Sequence, residues 1–176
     1  MKVEFKRAIR GGDLNKVKEY LNQGIDPSID NNYPIRWASQ NGHLEIVKLL
    51  LADNRVDPSS RDNLAIRSAS ESGYKEIVKL LLMDDRDDPS VKDNRAIIWA
   101  SRNGHVEVVK LLLTDKRVDP SDMNNLAIRL ASEYGHVEVV RELIKDKRVR
   151  NSLKREQIDG LISREYKLYK LRKLIC

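Results

Sequence analysis

Three histidines and a recurring set of carboxylates are the residues of this chain whose types suit metal or acid–base chemistry. His43, His105 and His136 are separated by multiples of 31 residues, so each occupies the same place in a repeated unit. Neighbouring packed helices lie about 8–10 Å apart, which is too far for two such rings to bind one metal ion. We therefore expect each ring to hydrogen-bond between adjacent units, and we predict no metal site.

The carboxylates recur in the same way. Asp53, Asp84, Asp115 and Asp146 each stand two residues before an arginine. This spacing predicts a row of Asp–Arg pairs along successive loops rather than a catalytic dyad, and exposed pairs of this kind stabilise a fold only slightly. The chain contains no G-x-S-x-G, P-loop or H-E-x-x-H motif. We predict that the protein is not an enzyme, has no catalytic residue and needs no cofactor.

The elements that position these residues form an internal repeat. Each unit opens with Asp-Pro-Ser, which has turn chemistry, followed by an Asp/Asn pair that suits a helix N-cap. A small alanine and a glycine then separate two short helical segments. Helices of about ten residues are unstable alone, so the units must stack on one another. The register is constant at 31 residues for Asp26, Asp57, Asp88 and Asp119, for Ala38, Ala69, Ala100 and Ala131, and for Gly42, Gly73, Gly104 and Gly135.

The second half of each unit resembles an ankyrin repeat, most clearly at residues 41–51 and 103–113. The resemblance covers residues 1–149 and implies an all-α ankyrin-repeat solenoid of stacked helix-turn-helix units with short hairpin-like loops. The unit is shorter than the family's usual length of about 33 residues. The family's Thr-Pro-Leu-His segment is replaced here, so we expect Arg36, Arg67 and Arg129 to bond loop carbonyls or aspartates. This variant is similar to ankyrin arrays of giant DNA viruses of protists.

We expect a capping half repeat at residues 1–25, repeats at 26–56, 57–87, 88–118 and 119–149, and a basic helical cap at 150–176. The net charge of +6 is concentrated in that last segment, which has eight basic and three acidic residues. Its tyrosines, Tyr166 and Tyr169, lie among the basic residues, so one alternative function is binding of nucleic acid or an anionic surface by the tail, with the repeats as scaffold.

Positions at which the residue type differs from one repeat to the next are the candidates for partner binding. In the ankyrin family, loop tips and first helices line the concave face that holds partner proteins. Because Trp, Tyr and Arg dominate interface hot spots, we predict that Trp37, Trp99, Arg102 and Tyr134 form the energetic centre of a protein-binding groove. The alternative is that both tryptophans fill space between helices. The predicted partner-binding residues are Trp37, Gln40, Asn41, Arg61, Glu71, Lys92, Trp99, Arg102, Asn103, Met123, Glu133 and Tyr134.

The single cysteine, the first residues and the length of the apolar runs indicate where in the cell the protein acts. The single cysteine, Cys176, excludes an intramolecular disulfide, and the charged first residues do not fit a signal peptide. No apolar run reaches the roughly 20 residues of a membrane-spanning helix. We expect a monomeric intracellular protein, cytoplasmic or nuclear, that binds a protein rather than nucleic acid. An adaptor or a decoy for a host protein would fit, whereas the sequence does not identify the partner.

Overall fold

The computed structural model describes residues 1–153 and Gly160, and each regular element in that part of the chain is an α-helix. The predicted all-α architecture of paired short helices is confirmed. Apart from residues 150–153 and Gly160, the predicted basic cap lies outside the described residues. The contacts divide the chain into two compact units, unit 1 at Met1–Pro89 and unit 2 from Ser90 onward.

Unit 1 contains three helix pairs arranged in two layers. Helices α1, α3 and α5 pack side by side in the first layer, and α2, α4 and α6 pack side by side in the second. The helices are α1 (Lys2–Gly11), α2 (Leu14–Asn22), α3 (Ile29–Gln40), α4 (Leu44–Leu51), α5 (Ser60–Ser72) and α6 (Lys75–Leu82).

Unit 2 repeats this arrangement. Its first layer contains α7 packed against α9, its second contains α8 packed against α10, and α11 packs on α9 and α10. The helices are α7 (Val91–Arg102), α8 (Val106–Leu113), α9 (Asp122–Glu133), α10 (Val137–Lys145) and α11 (Lys147–Ser152).

The core between the two layers is built mainly from Ile, Val, Leu and Ala, as the low aromatic content predicts, with Phe5 of α1 as the buried aromatic residue. The recurring isoleucine and the alanine three residues after it are completely buried in each first-layer helix of the repeats, such as Ile66 and Ala69 in α5. The small alanine side chain allows the second-layer helix to approach closely. The second-layer helices bury residues at helical spacing, such as Ile77, Val78 and Leu81 in α6.

The Asp/Asn pairs do not act as helix N-caps, and that prediction is wrong. In unit 1, Asp30, Asn31 and Asn32 have φ values of 53°, 55° and 57°, so three successive residues at the start of α3 form a left-handed turn. The same conformation occurs at residues 61–63 of α5 and 123–125 of α9. Asn and Asp adopt this region more readily than other non-glycine residues, which explains why they recur here.

A buried asparagine links successive repeats at Asn32, Asn63 and Asn94. The side-chain Oδ1 of each accepts a hydrogen bond from the backbone N–H of the next Asp-Pro-Ser segment, whereas that of Asn125 accepts from the Ser152 hydroxyl. The aspartate of that segment in turn accepts from the N–H and hydroxyl of its own serine, as the turn chemistry predicts. The donor and acceptor pairs are Asp57–Asn32 (2.8 Å) and Asp88–Asn63 (2.9 Å) in unit 1, and Asp119–Asn94 (2.7 Å) in unit 2.

The recurring glycine has two structural causes. Gly42 has φ of +76°, in the left-handed region, which agrees with the predicted turn between the two helices of a repeat. A Cβ at Gly42 would also lie 2.7 Å from Cε1 of Tyr74, because the ring of the next repeat covers this glycine. In unit 2, a Cβ at Gly104 would lie 2.5 Å from Nδ1 of His136. The glycine is therefore required by ring packing between repeats as well as by backbone conformation.

Gly42→Ala is expected to lower the free energy of unfolding by more than Gly24→Ala does. Gly24 also has a positive φ, +82°, but nothing lies within 4 Å of its added Cβ. Alanine in this conformation costs about 1–2 kcal/mol at either position. At Gly42, displacement of the Tyr74 ring adds about 1–3 kcal/mol. Urea denaturation measures the free energy of unfolding of both variants. An equal decrease in the two would contradict the proposed cost of the ring contact.

Asn32→Ala is expected to destabilise the protein more than Asn31→Ala. Both residues have left-handed backbone, but Asn31 is exposed and Asn32 is buried. Only Asn32→Ala also removes the acceptor for the partly buried N–H of Asp57, which adds about 1–3 kcal/mol. The difference between the two unfolding free energies isolates this hydrogen bond. Identical values would show that the asparagine matters only for its backbone conformation.

Candidate partner-binding site

Two of the three histidines, His43 and His136, hydrogen-bond between repeats, as predicted. The Nε2 of His43 donates to the carbonyl of Arg10 at 3.3 Å, and the Nε2 of His136 donates to the carbonyl of Arg102 at 2.8 Å. Each histidine thus satisfies a carbonyl near the end of a first-layer helix. Within residues 1–153, no group of three or more His, Cys, Asp or Glu side chains is placed to hold a metal ion.

The predicted row of Asp–Arg pairs is present, and the arginines do more than neutralise charge. Arg55 donates from Nε and Nη2 to the two carboxylate oxygens of Asp53, at 2.9 and 2.6 Å. Arg86 makes the same two-pronged contact with Asp84, and its Nη1 donates to the carbonyl of Val56, one repeat earlier, at 2.6 Å. These carboxylates are therefore engaged in the structure of the loops.

A shallow cavity beside the Asp53–Arg55 pair has a volume of about 510 Å³. It lies at the loops that follow α2 and α4, and contains none of the residues predicted to bind a partner. Its lining consists of Leu21, Asn22, Leu49, Ala52, Asp53, Asn54 and Arg55.

Aromatic and basic side chains form a compact cluster on the first layer of unit 1. Tyr33 and Trp37 lie one helical turn apart on α3 and stack, with ring centroids 5.5 Å apart and planes inclined by 17°. The guanidinium carbon of Arg10, on α1, lies 5.6 Å from the Tyr33 centroid and 5.5 Å from that of Trp37. The Nζ of Lys6 lies 5.5 Å from the Tyr33 centroid. We call these four residues the Arg10 cluster.

Hydrogen bonds and ion pairs hold the Arg10 cluster in place. The Nε of Arg10 donates to the Tyr33 hydroxyl at 2.6 Å. Lys6 pairs with Asp30 at the adjacent loop tip, and its hydrogen bond holds the pKa of that carboxyl below the usual value. Arg36 donates to the carbonyls of Asn31 and Asp30, at 2.9 and 3.1 Å, which confirms the predicted role of this arginine. The tip and the cluster thus form one connected surface.

Unit 2 has a related group on its own first layer. The guanidinium carbon of Arg102 lies 5.1 Å from the Trp99 ring centroid and 5.3 Å from that of Tyr134. Its Nη2 lies 3.4 Å from the Tyr134 hydroxyl, to which it donates. We call these residues the Arg102 cluster. Each unit therefore presents a tryptophan and a tyrosine joined by an arginine, with cation–π contacts on both rings.

The structure brings together three of the four residues predicted as the energetic centre, namely those of the Arg102 cluster. It places Trp37 with Arg10 and Tyr33 instead, and both tryptophans are half-buried. Among the other predicted residues, Asn41 donates from Nδ2 to the carbonyl of Trp37 at 2.9 Å. The remaining predicted residues are exposed on first-layer helices, near their ends or at their tips: Gln40, Arg61, Glu71, Lys92, Asn103, Met123 and Glu133.

Sequence reasoning missed Arg10, Tyr33 and Lys6. Because Ala8 corresponds to Ala38, Arg10 occupies the same repeat position as Arg102. Extending the register into residues 1–25 would therefore have identified Arg10. Tyr33 stands where the next repeat has Leu64, and that change was the available signal for it.

A comparison with protein families decides the class of this protein. A family model described as ankyrin repeats, in three copies, matches residues 5–93 and 83–154. The chain belongs to the ankyrin-repeat family. Ankyrin repeats are generic protein–protein interaction modules, and proteins built from them are typically scaffolds without enzymatic activity. Comparison with curated proteins finds no match to this chain.

Two further findings concern membrane spanning and the alternative function of the basic tail. Among the described residues, each helix is too short or too polar to span a lipid bilayer. The basic tail residues on which nucleic-acid or anionic-surface binding depends, including Arg164, Lys167 and Lys170, lie outside the described residues.

Asp53→Asn is expected to lower the unfolding temperature near neutral pH but not near pH 2. The side-chain hydrogen bond from Arg55 lowers the pKa of Asp53 from its usual 3.8 to about 2. Its stabilising contribution is therefore present above pH 3.8 and is lost as the pH falls through about 2. Thermal unfolding across this pH range measures the effect.

Glu45→Gln is a matched control for this prediction, because Glu45 forms an exposed ion pair with Lys48 on α4, the helix that precedes Asp53. We expect that substitution to change the unfolding temperature little at any pH. A deficit of Asp53→Asn that is unchanged at pH 2 would contradict the assigned role of the carboxylate.

Proposed function

We propose that this ankyrin-repeat protein binds a partner protein through the exposed first-layer helices and loop tips, with the Arg10 and Arg102 clusters as the main contacts. The observation that carries this proposal is the joining of tryptophan, tyrosine and arginine, in each unit, at positions that the repeat leaves variable. Trp, Tyr and Arg are the residue types that contribute most binding free energy at protein interfaces.

The geometry of the clusters supports binding in a second way. Stacking on arginine restricts both rings and the guanidinium before any partner arrives, so less side-chain entropy is lost on association. Trp37 and Trp99 are half-buried and not enclosed in the core, which leaves ring surface that a partner can cover. This favours a binding role over the alternative in which the tryptophans only fill space between helices.

We propose further that the protein acts inside the cell, as a monomer, in the manner of an adaptor or a decoy. Such a protein alters its partner by occupying a surface and needs no chemistry of its own. The lone cysteine of the sequence supports a reducing compartment. Resemblance to the ankyrin arrays of giant viruses makes a host protein one candidate partner.

Capture of a partner from a lysate of candidate host cells is expected to depend on the tryptophans. Replacing Trp37 and Trp99 by alanine removes the largest rings of both clusters, and we expect at least about tenfold loss of retained partner. Met83→Ala is the control, because Met83 is 73 % exposed but follows α6, in the second layer. Circular dichroism checks that each variant is folded, and the lysate is treated with nuclease.

A chain ending at Val149 distinguishes the tail from the repeats. If the partner is retained by the tryptophan variant but lost by the shortened chain, or lost on nuclease treatment, binding belongs to the basic tail and the proposal fails.

A further inference from the structure

We propose that the Arg10 cluster and the adjacent loop tips of unit 1 bind an acidic segment of the partner, with a Glu or Asp carboxylate on the Arg10 guanidinium. This inference rests on the proposed function and specifies the chemistry of the partner. It concerns unit 1 alone, on the surface formed by α1, α3 and the tips of α3 and α5.

This surface has a net positive charge. Lys6 forms an ion pair with Asp30. Lys6, Lys2 and Arg36 all lie close enough to Asp30 to lower its pKa, with the Lys6 hydrogen bond as the largest cause. Burial, and next the nearby positive charge of Arg61, lower the pKa of Arg36. Along α1, α3 and the two tips, six basic side chains outnumber three acidic ones, and this excess of positive charge attracts a partner of negative charge. The basic residues are Lys2, Lys6, Arg7, Arg10, Arg36 and Arg61, and the acidic ones are Glu4, Asp30 and Asp62.

Arg10 is prepared to bind a carboxylate. Within the described residues its guanidinium donates one hydrogen bond, from Nε to Tyr33, and the side chain is exposed. Its two terminal nitrogens keep the paired N–H geometry that matches a carboxylate. The Tyr33 and Trp37 rings hold the guanidinium in one orientation, so forming that contact loses little additional entropy.

The arrangement of the rings favours an acidic peptide over a nucleic acid. Binding of single strands uses aromatic faces on which bases stack. Here Tyr33 and Trp37 stack on each other, Arg10 approaches both rings, and Lys6 approaches the Tyr33 ring. One face of each ring is covered by the other ring, and cations lie close to both rings, which favours a ligand that binds the guanidinium donors.

The test uses a fluorescently labelled peptide of alternating glutamate and alanine, with binding followed by anisotropy on the full chain. The matched variants are Arg10→Ala and Arg7→Ala, which remove the same charge from the same helix. Arg7 is exposed and pairs with Glu4, outside the cluster. We expect Arg10→Ala to weaken binding about tenfold or more and Arg7→Ala less than about threefold. Arg10→Lys keeps the charge without the paired donors, so it should weaken binding as well.

A second readout locates the peptide. In a Trp99→Phe background, Trp37 is the remaining tryptophan, so its emission should change on binding and the change should be lost in Arg10→Ala. Binding should also weaken as salt is added. Absence of peptide binding, or equal effects of Arg7→Ala and Arg10→Ala, would overturn the inference. Tighter, Arg10-dependent binding of an oligothymidylate of the same length would assign the surface to nucleic acid instead.

The peptide-binding experiment and the partner-capture experiment can fail independently. If a protein partner is captured through the tryptophans while the glutamate peptide fails to bind, the proposed function stands and the acidic chemistry is wrong. If substitutions in the clusters change neither partner capture nor peptide binding, both proposals fail.

Discussion

Hydrogen bonds across the repeat junctions are the interactions on which the rest of this structure depends. Each repeat exposes backbone groups that its own short helices leave unsatisfied, and a side chain of a neighbouring repeat satisfies them. Asn32 accepts from the Asp57 N–H, His43 donates to the Arg10 carbonyl, and Arg86 donates to the Val56 carbonyl. Because an unsatisfied buried polar group costs about 1–3 kcal/mol, these contacts specify how one repeat is positioned on the next.

This constraint separates two kinds of position. Residues that serve a junction tend to recur with the repeat, as the linking asparagine does at Asn32 and Asn63 in unit 1 and at Asn94 in unit 2. A residue on the open side of the first layer meets no such requirement, so it is available for other uses. Trp37 and Arg102 are of the second kind. Their clusters differ in detail, because Arg10 joins two rings of one helix, whereas Arg102 joins Trp99 of α7 to Tyr134, which directly follows α9.

Much of the fold could be predicted because the same evidence is present in every unit. The buried isoleucine and alanine, the positive-φ glycine and the histidine bridges all follow from recurrence combined with side-chain chemistry. The Asp/Asn pairs were misassigned because asparagine and aspartate are favoured both at helix N-caps and in left-handed backbone. Local sequence cannot separate these two uses, whereas the packing of the next Asp-Pro-Ser segment onto Asn32 does.

By itself, the sequence determined the helix pairs, their repeat interval, the composition of the core and the set of variable positions, since these depend on periodicity and on the chemistry of single residues. Only the tertiary structure decided which variable side chains meet. Arg10 and Trp37 are far apart in the chain, and their contact arises because α1 packs beside α3. A binding surface is made by neighbours in space, and the spacing of residues along one chain does not contain that information.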